Sequence, residues 1–192
     1  MKLIGITGGI GSGKSTIAKV FMSIGYPVYN SDTRAKELIN SNEELINSIK
    51  LSFGDDLYNS QGLDRKKMAS IVFNNPEKLE LLNSIIHPAV GKDFEKWIDS
   101  QNTSFILKEA AILFETGIYK SLHKIILVSA PQETRIERVI KRDNTNREEV
   151  LSRMNNQWSE EKKTELADYV IDNSGNKLVI PQVLEIIKQI LK

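Results

Sequence analysis

Lys2-Leu3-Ile4-Gly5-Ile6-Thr7 runs without a break into Gly8-Gly9-Ile10-Gly11-Ser12-Gly13-Lys14-Ser15-Thr16. A short apolar run thus meets a glycine-rich loop, and the loop meets a helical pattern. Gly8, Gly13, Lys14 and Ser15 fill every fixed position of the phosphate-binding pattern G-x-x-x-x-G-K-[ST]. The residue types follow from the task. Several backbone N–H groups must reach phosphate oxygens at once, and a Cβ at the tight positions would block the approach. The helix that starts near Lys14 directs its unpaired N–H groups and positive dipole end at the same anion. Lys14 adds a charge for the β- and γ-phosphates, and the Ser15 hydroxyl is the expected Mg²⁺ ligand. Gly8, Gly11, Ser12, Gly13, Lys14, Ser15 and Thr16 are the expected nucleotide-binding set. A plain glycine-rich turn is the alternative, and the strand–loop–helix context argues against it.

Working outward, Ile17, Val20, Phe21 and Ile24 recur at helical spacing, and Gly25 marks a stop. Pro27-Val28-Tyr29 reads as a second strand ending at Asn30-Ser31-Asp32. Ligands of open parallel sheets lie beyond the carboxyl ends of the strands, which puts Asp32 on the phosphate edge. A carboxylate there needs a task, although Ser31 or Asp32 could also cap the next helix. Residues 33–101 carry helical patterns with little sign of a strand. Asp64 is a candidate cap, Asn75-Pro76 opens a long helix, and Pro88 should bend or interrupt that helix after His87. This stretch is read as a helical insertion for substrate recognition. Phe105-Ile106-Leu107, Lys124 to Val128 and Tyr169-Val170-Ile171 supply three more strands, and Val183, Ile186, Ile187 and Ile190 mark a terminal helix. Alternating strands and helices call for a parallel sheet covered on both faces.

Between the last two strands, Gln132 to Trp158 is helical and arginine-rich. Arg135, Arg138 and Arg142 share one helix face opposite Ile136, Val139 and Ile140, and Arg147 and Arg153 follow a polar turn. A solvated charged face is one reading. A lid that brings arginines to a transferring phosphoryl group is the other, favoured by its position after a sheet strand.

Composition is that of an ordinary globular chain of 192 residues, 40% hydrophobic and 27% charged. A formal net charge of +1 argues against a general nucleic-acid or membrane surface. The absence of cysteine removes disulfides, thiolate metal sites and cysteine nucleophiles. No signal peptide or bilayer-crossing span is read, so a cytoplasmic address is the default. A monomer is expected, with oligomers left open.

With these features in place the chain resembles the dephospho-CoA kinase family nearly from end to end. The resemblance rests on Thr7 to Thr16, Asp32, His87-Pro88, Leu113-Phe114-Glu115, Arg138, Lys141-Arg142-Asp143, Arg147-Glu148, Gln157 and Ala167-Asp168-Tyr169-Val170-Ile171-Asp172-Asn173-Ser174-Gly175. It implies an α/β P-loop kinase fold. Its expected form is a three-layer sandwich with a five-stranded parallel sheet, a CoA-binding helical insertion (33–101) and a helical lid (about 132–158), all in one domain. It implies transfer of the ATP γ-phosphoryl group to the 3′-hydroxyl of dephospho-CoA, with Mg²⁺. Asp32 matches the base, Asn173 to Gly175 the loop beside adenine, and His87 the CoA-binding region. Lys14 and Arg142 are assigned to the transferring charge, and Glu115 and Arg138 to the substrate. His87 and Glu115 each also admit a structural role. The chain departs from the family's pattern at Asn30, where an acid is common, at Lys36, where arginine is, and at Ala111, where proline is. A nucleoside monophosphate kinase, or a nucleotide-gated ATPase switch, would share the loop and are the rival readings.

Overall fold

The computed structural model describes residues 1–73 and 75–192. In chain order these form β1 (Lys2–Thr7), α1 (Lys14–Ser23), β2 (Val28–Asn30), α2 (Ser31–Ser41) and α3 (Glu43–Phe53). Next come β3 (Tyr58–Asn59), β4 (Gly62–Leu63), α4 (Arg65–Val72), α5 (Pro76–Asp99) and β5 (Phe105–Glu109). The chain closes with β6 (Lys124–Ser129), α6 (Gln132–Asp143), α7 (Arg147–Asn155), α8 (Glu160–Leu166), β7 (Tyr169–Asp172) and α9 (Val179–Leu191). Two compact units result, Met1–Asn30 with Gln101–Lys192, and Ser31–Ser100.

The first unit holds a five-stranded parallel sheet in the order β2-β5-β1-β6-β7. Strand side chains alternate between faces, so each strand feeds two cores. Ile4 and Ile6 of β1, Phe105 and Leu107 of β5, and Ile126 and Val128 of β6 join Ile17 and Phe21 of α1 and Val183, Ile187 and Ile190 of α9. On the opposite face, Ile125 packs with Leu113, Phe114, Trp158 and Ala167. Both faces are therefore covered, which is why every residue of β5 is buried. This is the three-layer arrangement expected from the alternating pattern. The strand order reverses at β1, flanked by β5 and β6, and that is where a doubly wound sheet opens a ligand crevice.

Helices α6 and α7 belong to this unit and meet through Ile136, Val139 and Val150, with Ile10, Leu151 and Met154 packed against them. Between them Asn144 ends α6 in a left-handed conformation (φ 50°), and Asn146 caps α7 by accepting from the Glu149 N–H at 2.9 Å.

The second unit is mostly helical. Asn42, Asp64 and Asn75 cap α3, α4 and α5 by accepting backbone N–H groups at 2.9–3.1 Å. Arg34 of α2 forks onto Asp93 of α5 through Nε and Nη2 at 2.9 and 2.5 Å, and these charges hold its guanidinium well above the usual arginine range. Two details differ from the sequence reading. Residues 33–101 show little sign of a strand in the sequence, yet 58–63 close as a two-stranded antiparallel hairpin, with Tyr58 opposite Leu63 and Asn59 opposite Gly62. Its strands are too short to show a period. Helix α5 also continues through Pro88 without a break. Leu82, Val90 and Phe94 anchor it on both sides, while Pro88 sits on the exposed face, where water can satisfy the carbonyl that proline leaves unpaired.

Candidate active site

The loop between β1 and α1 turns back on itself through the Ser12 N–H, which donates to the Gly9 carbonyl at 3.0 Å. Positive φ requires glycine at two positions of the loop. Gly11 has φ 80°, and a Cβ there would lie 2.4 Å from the Arg135 carbonyl oxygen. Gly13, at the N-cap of α1, has φ 88°, and its Cβ would come 2.3 Å from Asn173 Nδ2. Among the described residues, the N–H groups of Gly11, Gly13, Lys14 and Ser15 have no protein acceptor. They are the donors that an anion at a helix N-terminus would take up.

The outer side of the loop is gripped by three later segments. Asn173, just past β7, donates from Nδ2 to the Ser12 carbonyl at 2.7 Å. Arg138 of α6 reaches the same carbonyl with Nη1 at 3.4 Å and the Asn173 carbonyl with Nη2 at 2.9 Å. The Ile10 N–H donates to Gln157 Oε1 at 2.9 Å, and Gln157 in turn donates to the Ala111 carbonyl at 3.2 Å. Arg135 lays its guanidinium over Gly9 and pairs with Glu160 at 3.6 Å. With its outward carbonyls engaged, the loop keeps its N–H groups pointed the other way. Lys14 is half-buried and has no ion pair among the described residues.

An acid that sequence reading missed lies directly beside Ser15. Glu109 ends β5, opposite Ile6 of β1, and is 2% exposed. The Ser15 hydroxyl donates to its Oε1 at 2.7 Å, and Asn30 Nδ2 donates to its Oε2 at 2.5 Å. No lysine or arginine among the described residues pairs with it. The one hint in the chain is an acid at the end of a strand, where ligands of a parallel sheet bind; its partnership with Ser15 comes only from strand pairing.

The other expected site residues fall in varied settings. Asp32 is exposed in the first turn of α2, with no ion pair or hydrogen bond among the described residues. His87 is exposed on α5, immediately before Pro88. Glu115 is engaged by its own unit: Oε1 accepts the Trp158 N–H at 2.9 Å and lies 3.0 Å from the ammonium of Lys163, which is 1% exposed. That ammonium is outside hydrogen-bond geometry, so the contact is Coulombic rather than directional. Arg142 forks onto Asp143 at 2.7 and 3.1 Å, and Arg153 reaches the same carboxylate at 3.0 Å. The Arg142 guanidinium, helped by Arg153, holds the Asp143 carboxyl below its ordinary range. Arg147 pairs with Glu133 through two bonds of 2.7 Å. Thr16 is exposed in the first turn of α1. In the turn after β7, the Asp172 carboxylate accepts the Ser174 N–H at 2.9 Å, and Gly175 takes φ 100°.

Among the described residues no group of three or more histidine or acidic side chains could hold a metal by itself. A hydroxyl and one nearby carboxylate instead suit a hard cation that draws its remaining ligands from phosphates and water, as Mg²⁺ does. No helix among them is long and apolar enough to cross a membrane.

The CoaE dephospho-CoA kinase family profile matches residues 2–178 of this chain. A dephospho-CoA kinase from Chlorobium chlorochromatii (strain CaD3) is 42% identical over 181 residues, spanning 90% of this chain and 85% of that protein. Among solved structures, TT1252 from Thermus thermophilus matches with a TM-score of 0.90 at 36% identity, covering 100% of this chain and 98% of its own. A dephospho-CoA kinase from Campylobacter jejuni matches with a TM-score of 0.70 at 29% identity, covering 99% of this chain and 98% of its own. The phosphate loop on a five-stranded parallel sheet, and a profile match running almost the whole length, lead to one assignment: the chain belongs to the dephospho-CoA kinase family.

Proposed function

We propose that this protein transfers the γ-phosphoryl group of ATP to the 3′-hydroxyl of dephospho-CoA, giving CoA and ADP. The observation that carries the reading is the phosphate loop with its inward N–H groups unpaired, in a chain of this family. Phosphoryl transfer asks a protein mainly for positioning and charge stabilisation. The N–H groups of Gly11, Gly13, Lys14 and Ser15 bind the polyphosphate, with Gly8, Ser12 and Thr16 completing the loop, and Lys14 follows charge onto the β- and γ-oxygens. Mg²⁺, bound through the Ser15 hydroxyl with Glu109 beside it, would neutralise phosphate charge. Asp32 orients the acceptor hydroxyl and takes its proton. Arg142 is proposed to leave Asp143 for the transferring group, in a segment of about 132–158 that acts as a lid. Asn173 and Gly175 line the adenine. Residues 33–101 hold the CoA moiety, with His87 among its contacts and Arg138 and Glu115 on the substrate side. The protein is proposed to act as a cytoplasmic monomer.

A panel of acceptors with ATP, followed by ADP release, tests the reading. Dephospho-CoA should be the productive acceptor. Turnover of a nucleoside monophosphate without turnover of dephospho-CoA would reverse it.

A further inference from the structure

Helix α9 does more for the sheet than cover it. β7 is the outermost strand on its side, and its inner edge is taken by β6, with Ser129 opposite Asp172. The N–H of Asn173 turns inward and donates to the Ser129 carbonyl at 2.8 Å. Backbone groups of successive strand residues point to opposite edges, so the N–H and C=O of Asp172 face outward, where a further strand would pair with them. Gln182 of α9 takes that strand's place. Its Oε1 accepts the Asp172 N–H at 2.9 Å, and its Nε2 donates to the Asp172 carbonyl at 3.0 Å and to the Leu178 carbonyl at 3.0 Å. One acceptor and both amide protons are thus used, and turning the amide over would set like against like at all three bonds. Val183, the next residue, is fully buried in the core between α9 and the sheet, which fixes the amide from the helix side as well.

We infer that Gln182 is a positioning residue for the nucleotide, acting through Asn173. It fixes both peptide groups of Asp172, and the next residue is the one whose Nδ2 grips the Ser12 carbonyl at 2.7 Å and whose own carbonyl receives Arg138 at 2.9 Å. A side chain that sets where Asn173 leaves the sheet therefore sets the outer wall of the phosphate loop. The Asp172 carboxylate also accepts the Ser174 N–H at 2.9 Å, so the turn that follows starts from the same anchored residue. Helix α9 and the phosphate loop are joined in this way by two side chains, Gln182 and Asn173, with the Asp172 backbone between them. The inference rests on nucleotide binding at the loop, as proposed above. Gln182 itself lies on α9, outside the loop, so its effect falls on affinity for the phosphoryl donor rather than on the transfer step.

The test is ADP affinity by calorimetry, with the KM for ATP and kcat measured alongside. Gln182→Met keeps the length of the side chain and takes away the partner of the Asp172 N–H and C=O. It should weaken ADP binding by about tenfold, the scale of losing hydrogen bonds that hold a half-buried backbone segment. The KM for ATP should rise by a similar factor, with a smaller fall in kcat. In an Asn173→Ala background the same substitution should cost no more than about threefold in ADP affinity, because the contact it serves is already gone. Loss of packing alone would lower the melting temperature and leave the two effects on affinity to add. Unchanged ADP affinity in Gln182→Met, or an equal loss with and without Asn173, overturns the inference. Should Gln182→Met not fold, Gln182→Glu replaces it under the same two criteria: it keeps the acceptor for the Asp172 N–H and loses both donations. A parent protein that binds no ADP would instead remove the nucleotide reading on which the inference depends.

Discussion

Replacing Lys163 by methionine keeps most of the side-chain volume and removes a charge that is almost fully enclosed. Lys163 is 1% exposed and the Glu115 side chain 14%, so little water is at hand to take over when the ammonium is lost. Removing one member of a buried pair typically costs about 3–5 kcal/mol, because the other charge stays buried without compensation. The Trp158 N–H still donates to Glu115 at 2.9 Å, which places the expected loss near the lower end, about 3 kcal/mol. For a chain of this size that corresponds to a fall in Tm of about 6–12 °C. The measurement is thermal and urea unfolding by circular dichroism without nucleotide, since a bound ligand would mask part of the loss. The double variant Lys163→Met/Glu115→Gln removes both charges and should be more stable than Lys163→Met alone by at least about 1 kcal/mol. A Lys163→Met protein within about 1 kcal/mol of the parent would refute the reasoning, as would a double variant whose loss is the sum of the two singles. The same variants address the second reading of Glu115. A raised KM for dephospho-CoA in Glu115→Gln at unchanged stability would assign this carboxylate to the substrate rather than to the fold.

Further outcomes follow from the same geometry. Asp32→Asn should lower kcat by about 10²–10⁴-fold while ADP affinity measured by calorimetry stays near that of the parent, and near-normal turnover would remove Asp32 as the base. Arg138→Ala deletes a charged donor shared by two carbonyls and should weaken ADP binding by about tenfold or more, because the loop must then be ordered by the nucleotide itself. Asp143 should titrate below the ordinary carboxylate range in carbon-detected NMR. With its folded pKa lowered, its stabilising contribution is full at neutral pH, above the unfolded value, and is lost as pH falls through the lowered folded value; added salt should reduce the shift. An ordinary, salt-independent titration would mean that the Arg142 and Arg153 contacts do not persist in solution.

How much of this was legible in the chain depended on whether the physics was local. The phosphate loop is set by backbone conformation and ligand approach within a few residues, so Gly11 and Gly13 could be read directly. The Asp64 cap and the Asn75-Pro76 helix start were legible for the same reason, and the five strands announced themselves as apolar runs. Glu109 was not, because its meaning comes from strand pairing. Only when β5 lies beside β1 does that carboxylate meet Ser15, 94 positions away. The setting of Glu115 likewise depends on a lysine 48 residues later, on a different helix. Pro88 does not interrupt α5, because the local rule for helix breaking gave way to packing on both sides of it. The hairpin at 58–63 was too short for any periodicity to register.

The grip of Asn173 on the Ser12 carbonyl spans 161 positions, nearly the whole chain. The loop is synthesised 161 positions ahead of its clamp, and folding cannot close so long a connection before the distal segment exists. A nascent chain therefore carries the binding motif before the Asn173 contact that holds it, which forms once β7 lies beside β6. A nucleotide that binds the ordered loop would stabilise the finished molecule over the unfinished one by mass action.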